Sequence, residues 1–275
     1  VTLLLAVALL ATAAPATGRG VVAPRQAADT PAVRLDLQQL KARLAKPAGD
    51  VPDLSNTDLS GLDLAGLDFK AANLANAQLA GAKMAGANLF SCDLTDAVLT
   101  GADLSRANLD GTVLRRAHLD RANLQGASLF ATIIEAADLR GADLSGTRII
   151  GYLRSANLAG ANLHNSNAGA DPGNQSMGVM RAAFVGADLT GADLTGANLF
   201  KADFSHATLA GAKLANADLR NAELVQADLT KADVTGAKVS KANLDGADFG
   251  GAIGVSRLVG LDEARNRDKA IFDAK

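Results

Sequence analysis

Residues 186–200 read GADLTGADLTGANLF, three near-identical blocks of five. A five-residue period constrains this chain more than any other feature, because neither regular element accommodates it. On an α-helix, about 100° per residue would rotate each block by about 140° from the last and spread the repeat round the whole circumference. On a flat strand, side-chain alternation would send consecutive Leu to opposite faces. A chain that turns a corner every five residues does satisfy the period. Four blocks then close one square coil, and every Leu and every Ala points to the axis.

Composition agrees with such a core. A chain of 275 residues with 3% aromatic content and no Trp cannot build a conventional interior of that length, so the core must use Leu and Ala. A hydrophobic fraction of 48% with 27 Gly and 6 Pro excludes a disordered or collagen-like chain. The formal net charge of -2 gives no bias toward nucleic acid or an acidic membrane. The single Cys excludes an intramolecular disulfide, and Cys92 stands at the Ala position of its block, where a buried, inert thiol is expected.

The blocks begin near Asp53. Leu54 and Ile149 lie 95 residues apart, which at five per block gives twenty centres in unbroken phase. One residue is then missing between Ile149 and Leu153, after which Leu158 and Leu163 follow the new phase. Residues 165–182, NSNAGADPGNQSMGVMRA, contain no Leu and carry the turn signal Asp171-Pro172-Gly173-Asn174. With Ala168 as a degenerate centre, a loop over about 169–181 projects from one corner. From Phe184 to Phe249 the earlier phase returns for 65 residues, or fourteen centres, and beyond Gly251 the pattern stops.

Tandem A(D/N)LXX blocks of this kind resemble the pentapeptide-repeat family, and the match covers roughly three quarters of the chain. The resemblance implies an all-β solenoid, a right-handed quadrilateral β-helix, here with short helical caps at residues 30–49 and 255–275 and coils over 50–254. Physical chemistry supports that fold independently. Leu ladders fill the axis, Ala lets the corner close, and Asp or Asn hydrogen-bonds nearby turn backbone. Each inward Leu contributes about 1.5 to 3 kcal/mol on burial, which must offset the ordering of four other residues, so no single coil is stable alone. The expected product is a rod of about nine to ten coils.

The ends read differently. VTLLLAVALLATAA at residues 1–14 has the length and composition of a signal-peptide core, with cleavage expected after Ala13 or Ala16. It is shorter than the roughly 20 residues that span a bilayer, so no stable membrane span is expected. Residues 17–30 read as a flexible leader, which makes 1–29 an export segment and the protein periplasmic or extracellular; without a functional signal peptide it would be cytoplasmic. Val33, Leu37, Leu40 and Leu44 fall at helical spacings, with Thr30 as N-cap, Pro31 at the first helical position and Pro47 as the stop. This predicts a capping helix over the open end of the stack, with a partner-binding helix as the alternative. Residues 255–275 mix charge with Leu258, Leu261, Ala264 and Ile271, and predict a helical C-terminal cap. In relatives such a segment often mediates dimerisation, and Phe272 leaves a homodimer through this cap open.

No constellation for catalysis or cofactor binding emerges. His118, His164 and His206 do not converge, and the many Asp, such as Asp188, Asp193 and Asp203, belong to the repeat. Metal-ligand spacings, phosphate-binding Gly loops and nucleophile elbows are missing, so no cofactor is expected. The candidate partner-binding residues are Phe90, Phe130, Ile150 and Phe200 together with Asp171, Asn174, Met177 and Met180 of the loop. The four apolar residues each follow a centre and fall on one face, Phe200 only if Ala168 is a centre. Such a face would be an exposed apolar ridge able to dock a protein partner. Alternatively the Phe side chains fold over the corner and cover backbone.

Three functions follow. The first is a non-catalytic exported scaffold that binds a protein or serves structurally. The second is implied by the quinolone-resistance relatives, which resemble duplex DNA and bind DNA gyrase. That mechanism needs a strongly acidic surface, whereas here Arg106, Arg115, Arg116, Arg121, Lys201, Arg220 and Lys231 nearly balance the Asp. The third is an accessory module of an enzyme.

Overall fold

The computed structural model describes residues 32–45, 50–170 and 181–273. Its organising contact is a parallel bridge between residues twenty apart, such as Asp53 with Asn73 and Asn73 with Asp93. Four such columns, starting at Asp53, Asp58, Asp63 and Asp68, define the four faces of a square coil. The first column holds eleven residues and ends at Arg265, so the stack has between ten and eleven coils.

Each face follows one plan. The residue before a centre bonds backward, as Asn73 N–H does to Pro52 O at 2.9 Å, and the centre bonds forward, as Leu54 N–H does to Asn73 O at 2.8 Å. The chain then turns. Ala77 N–H closes on Leu74 O at 3.0 Å while Asn76 stands at φ 58°, the positive φ of a type II turn's third residue. The Asp/Asn position caps that turn: Asp58 Oδ1 accepts from Ser60 N–H at 2.9 Å, and Asp93 Oδ1 from Thr95 N–H at 2.9 Å. Asn side chains also link coils, as Asn88 Nδ2 does in donating to Asp68 Oδ1 at 2.7 Å.

Inside, the centres and the Ala positions form one continuous core from Leu35 to Phe249. Phe184 and Phe204 stack at 4.8 Å between centroids with planes 1° apart, as a twenty-residue offset on one face requires. Thr112 and Thr132 take the Ala position and satisfy their buried hydroxyls on Leu89 O and Leu109 O. Cys92 is also buried there.

At the N-terminal end the cap differs from the predicted one. Val33 lies in strand β1 (Val33–Arg34), which pairs parallel with β2 (Thr57–Asp58). The helix α1 (Leu37–Leu44) follows, with Asp36, not Thr30, as its N-cap and Gln39 closing a capping box. Sheet pairing thus overrides the helical spacing at Val33, whose side chain is exposed, while Leu35 and Leu40 join the core. Thr30, Pro31 and Pro47 fall outside the described residues.

The missing residue after Ile149 shapes a local irregularity. Strand β3 (Ser128–Ile133) pairs with β4 (Arg148–Tyr152), and the register shifts between Phe130 and Ile133. The shorter strand passes the corner without a left-handed residue, and a Cβ on Gly151 would stand 2.4 Å from Thr132 O. Ala168 is buried and its N–H donates to Asn198 O, so it is the degenerate centre that restores register. Bridges such as Asn157–Asp188 span 31 residues, eleven more than the normal coil, and the extra length enters between Asn167 and Ala183.

The C-terminal segment is not an α-helix and the coil does not stop at Gly251. Ile253, Val259, Arg265 and Ile271 continue the four columns at six-residue steps. Each six-residue side contains an added 3-10 turn, Val255–Arg257, Leu261–Glu263 or Arg267–Lys269. Gly254 illustrates why the five-residue motif vanishes: it stands at φ +79°, and a Cβ there would lie 2.8 Å from Thr235 N. Phe272 closes the end by stacking on Phe249 at 5.1 Å.

Candidate functional site

Because side chains repeat down each face, function must be sought where the faces differ. Of the eight Phe, Phe69, Phe184, Phe204 and Phe249 lie on the axis and Phe272 stacks on the last of these. The remaining three are Phe90, Phe130 and Phe200. They follow Asn88, Ser128 and Asn198, all members of the fourth column, so all three share the fourth face. At about 4.8 Å per coil, Phe90 and Phe130 are about 10 Å apart along the axis and Phe130 and Phe200 about 14 Å.

Their surroundings are cationic. Lys70 Nζ lies 5.8 Å from the Phe90 centroid, the Arg148 guanidinium 4.4 Å from Phe130, and Lys201 Nζ 5.3 Å from Phe200 with Arg220 at 5.8 Å. Each ring thus carries a cation within cation–π range. Phe90 is the most open, at 39% exposure, while Phe130 and Phe200 are half-buried. Asp110 interrupts the row and is used locally, accepting from Phe130 N–H at 2.9 Å and from the Ser128 hydroxyl.

Ile150 departs from expectation. It shares the fourth face but is only 2% exposed. The short strand β4 draws this corner in against Thr132, so Ile150 cannot be part of an exposed ridge. The face is therefore a row of three cation-flanked aromatics rather than a continuous apolar ridge. Asp171, Asn174, Met177 and Met180 lie outside the described residues. Their flanks, Ala170 and Arg181, leave the coil at the corner between the fourth and first faces, beside Phe200, whose carbonyl accepts from Ala170 N–H.

Electrostatics separates the faces further. The bridging column of the second face carries Asp58, Asp138, Asp188, Asp228 and Asp248, and that of the third Asp63, Asp103, Asp143, Asp193 and Asp233 against Lys83 and Lys213. The fourth column carries only Asp68 and Asp218, with Arg148 and Lys238. Hydrogen bonding from the Arg220 guanidinium holds the Asp218 carboxyl below its ordinary value against the opposing effect of burial. Sequence reasoning missed this cationic character because it counted Lys and Arg over the whole chain rather than by column.

The other chemistry stays dispersed. His118, His164 and His206 are all exposed, and among the described residues no group of His, Cys, Asp or Glu could hold a metal ion. Among the same residues no helix is long and apolar enough to cross a membrane.

Comparison with known proteins adds the family. Residues 53–89, 92–130, 180–214 and 212–251 match pentapeptide repeats, in eight copies. This chain is a pentapeptide-repeat protein. That family has the right-handed quadrilateral β-helix that the bridges above describe. Among solved structures it is similar to HetL, a pentapeptide-repeat protein involved in heterocyst differentiation regulation from the cyanobacterium Nostoc sp. strain PCC 7120. The identity is 32% over 86% of this chain and 100% of that one, with a TM-score of 0.58. A pentapeptide-repeat protein of the Arabidopsis thaliana thylakoid lumen is 32% identical over 42% of this chain and 66% of its own, with a TM-score of 0.32. QnrB1, a plasmid-mediated fluoroquinolone resistance protein, is 19% identical over 72% and 93%, with a TM-score of 0.34. A search of curated proteins finds no match.

Proposed function

We propose that this pentapeptide-repeat protein is a non-catalytic, exported scaffold that docks a protein partner on its fourth face, which ends at the corner of Ala170. The observation that carries the reading is the gathering of all three outward Phe on one face, where repetition alone requires none. Aromatic residues and Arg are the side-chain types enriched at protein interfaces, and Arg148 and Arg220 accompany Phe130 and Phe200. The involvement of HetL in heterocyst differentiation regulation suits a binding module. Export rests on the apolar segment at residues 1–14.

A photo-crosslinking residue placed at Phe90 should form an adduct in the native host, whereas one at Ala85, on the third face, should not. Equal crosslinking at both positions, or at neither, would remove the docking reading. N-terminal sequencing of the mature chain from an exported fraction should give a start between residues 14 and 29. An intact N-terminus in the cytosol would overturn export.

The DNA-mimic alternative meets a quantitative obstacle. Ten coil steps of about 4.8 Å span about 48 Å, a length of duplex DNA carrying about 28 phosphate charges. The formal net charge here is -2. A homodimer through the C-terminal cap has more support. Ile253, Val259 and Ile271 ring the terminal coil at 62%, 51% and 56% exposure. In inner coils each centre N–H donates to the following coil, and the terminal coil has no successor, so its edge is open to pairing. Sedimentation of wild type and of Ile253→Lys should differ if that edge joins two copies.

A further inference from the structure

The corner between the fourth and first faces has a feature that the docking reading does not use. At this corner Arg181, Lys201, Asn221, Glu223, Lys241 and Arg265 line an open groove of about 630 Å³. Lys201, Asn221 and Lys241 each stand two residues after a fourth-face centre, at φ 61°, 58° and 60°, so they stack one coil apart along the groove. The backbone that aims these side chains outward is therefore the same turn at every step. Arg220, next to Asn221 in the chain, lies over Phe200 on the fourth face.

The charges in and around this groove do not cancel. Of the lining residues Arg181, Lys201, Lys241 and Arg265 are cationic and Glu223 is anionic, and with Asp203, which pairs with Arg181, the groove keeps two positive charges in excess. The carboxylates are already engaged, Arg181 with Asp203 at 2.8 Å and Arg265 with Glu223 at 2.7 Å, as is the nearby Asp218 with Arg220 at 2.6 Å. Among the described residues Lys201 and Lys241 have no carboxylate within ion-pair distance, whereas Lys238 faces Asp218 one coil away and, after Arg220, helps to hold its carboxyl below the ordinary value. This surplus sits on a chain whose formal net charge is -2 and whose second and third faces are lined with Asp.

We propose that the groove binds an acidic segment of a protein partner, its carboxylates paired with Lys201 and Lys241 and its apolar side chains set against Phe200. This rests on the docking reading above and names the chemistry of the partner. Charge complementarity selects the ligand sign. The choice of a protein segment over a nucleic acid follows from the Asp-rich columns of the second and third faces, which repel a long polyanion. A short acidic segment along the groove stays clear of those faces.

The test uses the full chain and two labelled probes of equal charge, an oligoglutamate peptide and an oligothymidine, followed by fluorescence anisotropy at low and physiological salt. The double variant Lys201→Glu/Lys241→Glu is compared with Lys83→Glu/Lys231→Glu, which makes the same change in net charge on other faces. The expected result is saturable peptide binding that is tighter than oligothymidine binding. It should weaken by about tenfold or more in the groove variant and by less than about twofold in the control. Equal weakening in both variants would mean diffuse attraction and would overturn the proposal, as would absence of saturable peptide binding or preference for oligothymidine. Those failures leave crosslinking at Phe90 unaffected, so a non-acidic partner on the same face is distinguishable from no docking at all.

Discussion

Left-handed turn residues offer the sharpest test of the fold, because the sign of one substitution should depend only on where it falls in the block. Ala71 stands at φ 59° and Gly81 at φ 64°, both two residues after a centre, while Ala80 is not among the positive-φ residues. A left-handed conformation costs a non-glycine residue about 1–2 kcal/mol. Glycine loses about 0.4–1 kcal/mol of that advantage through the greater freedom of its unfolded chain. The difference leaves Ala71→Gly stabilising by about 0.5–1 kcal/mol. Gly81→Ala should destabilise by a similar amount, since a Cβ there meets nothing within 4 Å and only the backbone term remains. At Ala80, with ordinary φ, only the entropic term survives, and Ala80→Gly should destabilise by about 0.5–1 kcal/mol. Urea denaturation followed by circular dichroism gives the three midpoints. Unchanged slopes are required for comparison, because long repeat arrays can lose two-state behaviour. If Ala71→Gly and Ala80→Gly change stability in the same direction, the turn assignment that underlies every coil is refuted.

Three further outcomes are expected. Burial pushes the Cys92 thiol up to about 12, so a thiol reagent at mildly alkaline pH should fail to label the native protein and label it fully in denaturant. Ser166 takes the Ala position of its block with its hydroxyl buried and unpartnered, unlike Thr112 and Thr132, so Ser166→Ala should be neutral or stabilise by about 1 kcal/mol in thermal unfolding. Hydrogen bonding from Arg140 holds the Asp138 carboxyl below its ordinary value, so this pair contributes stability above the unfolded-state value that is lost as pH falls through the depressed one. In Arg140→Gln, the Asp138 side-chain NMR signal should titrate at higher pH, and the stability gap to wild type should close in acid.

The coil was legible from spacing because its rule is local and repeated: one apolar residue every five, one small residue two before it, and a turn between them. Ala168 could be recognised as a centre for the same reason, since the phase before it and the phase after it leave one register open. What the period could not foresee depends on neighbours twenty residues away. The burial of Ile150 comes from the contact of Gly151 with Thr132, which no property of the IIGYL segment alone encodes. The terminal coil escaped because six-residue steps place Leu258 and Leu261 at a spacing that also fits a helix, and only the columns above decide for Val259 and Arg265. Val33 illustrates the converse, a residue at helical spacing claimed by the open edge at Thr57.

The same regularity explains where function can reside. A residue at a centre or an Ala position is committed to the axis, and an Asp before a centre is committed to its turn, as the bond from Asp58 to Ser60 N–H and its repetitions require. What remains variable is the residue after each centre and the left-handed residue next to it. On the fourth face these two positions include Phe90, Phe130, Phe200, Lys201, Arg220 and Lys241, whereas the third face fills them mainly with Ala, Ser, Thr and Gly. Since both faces fold by the same rule, folding cannot account for the difference. The rigid coil fixes these side chains at steps of about 4.8 Å, so a partner can be read by the register of charge and ring alone, without any loop having to close around it.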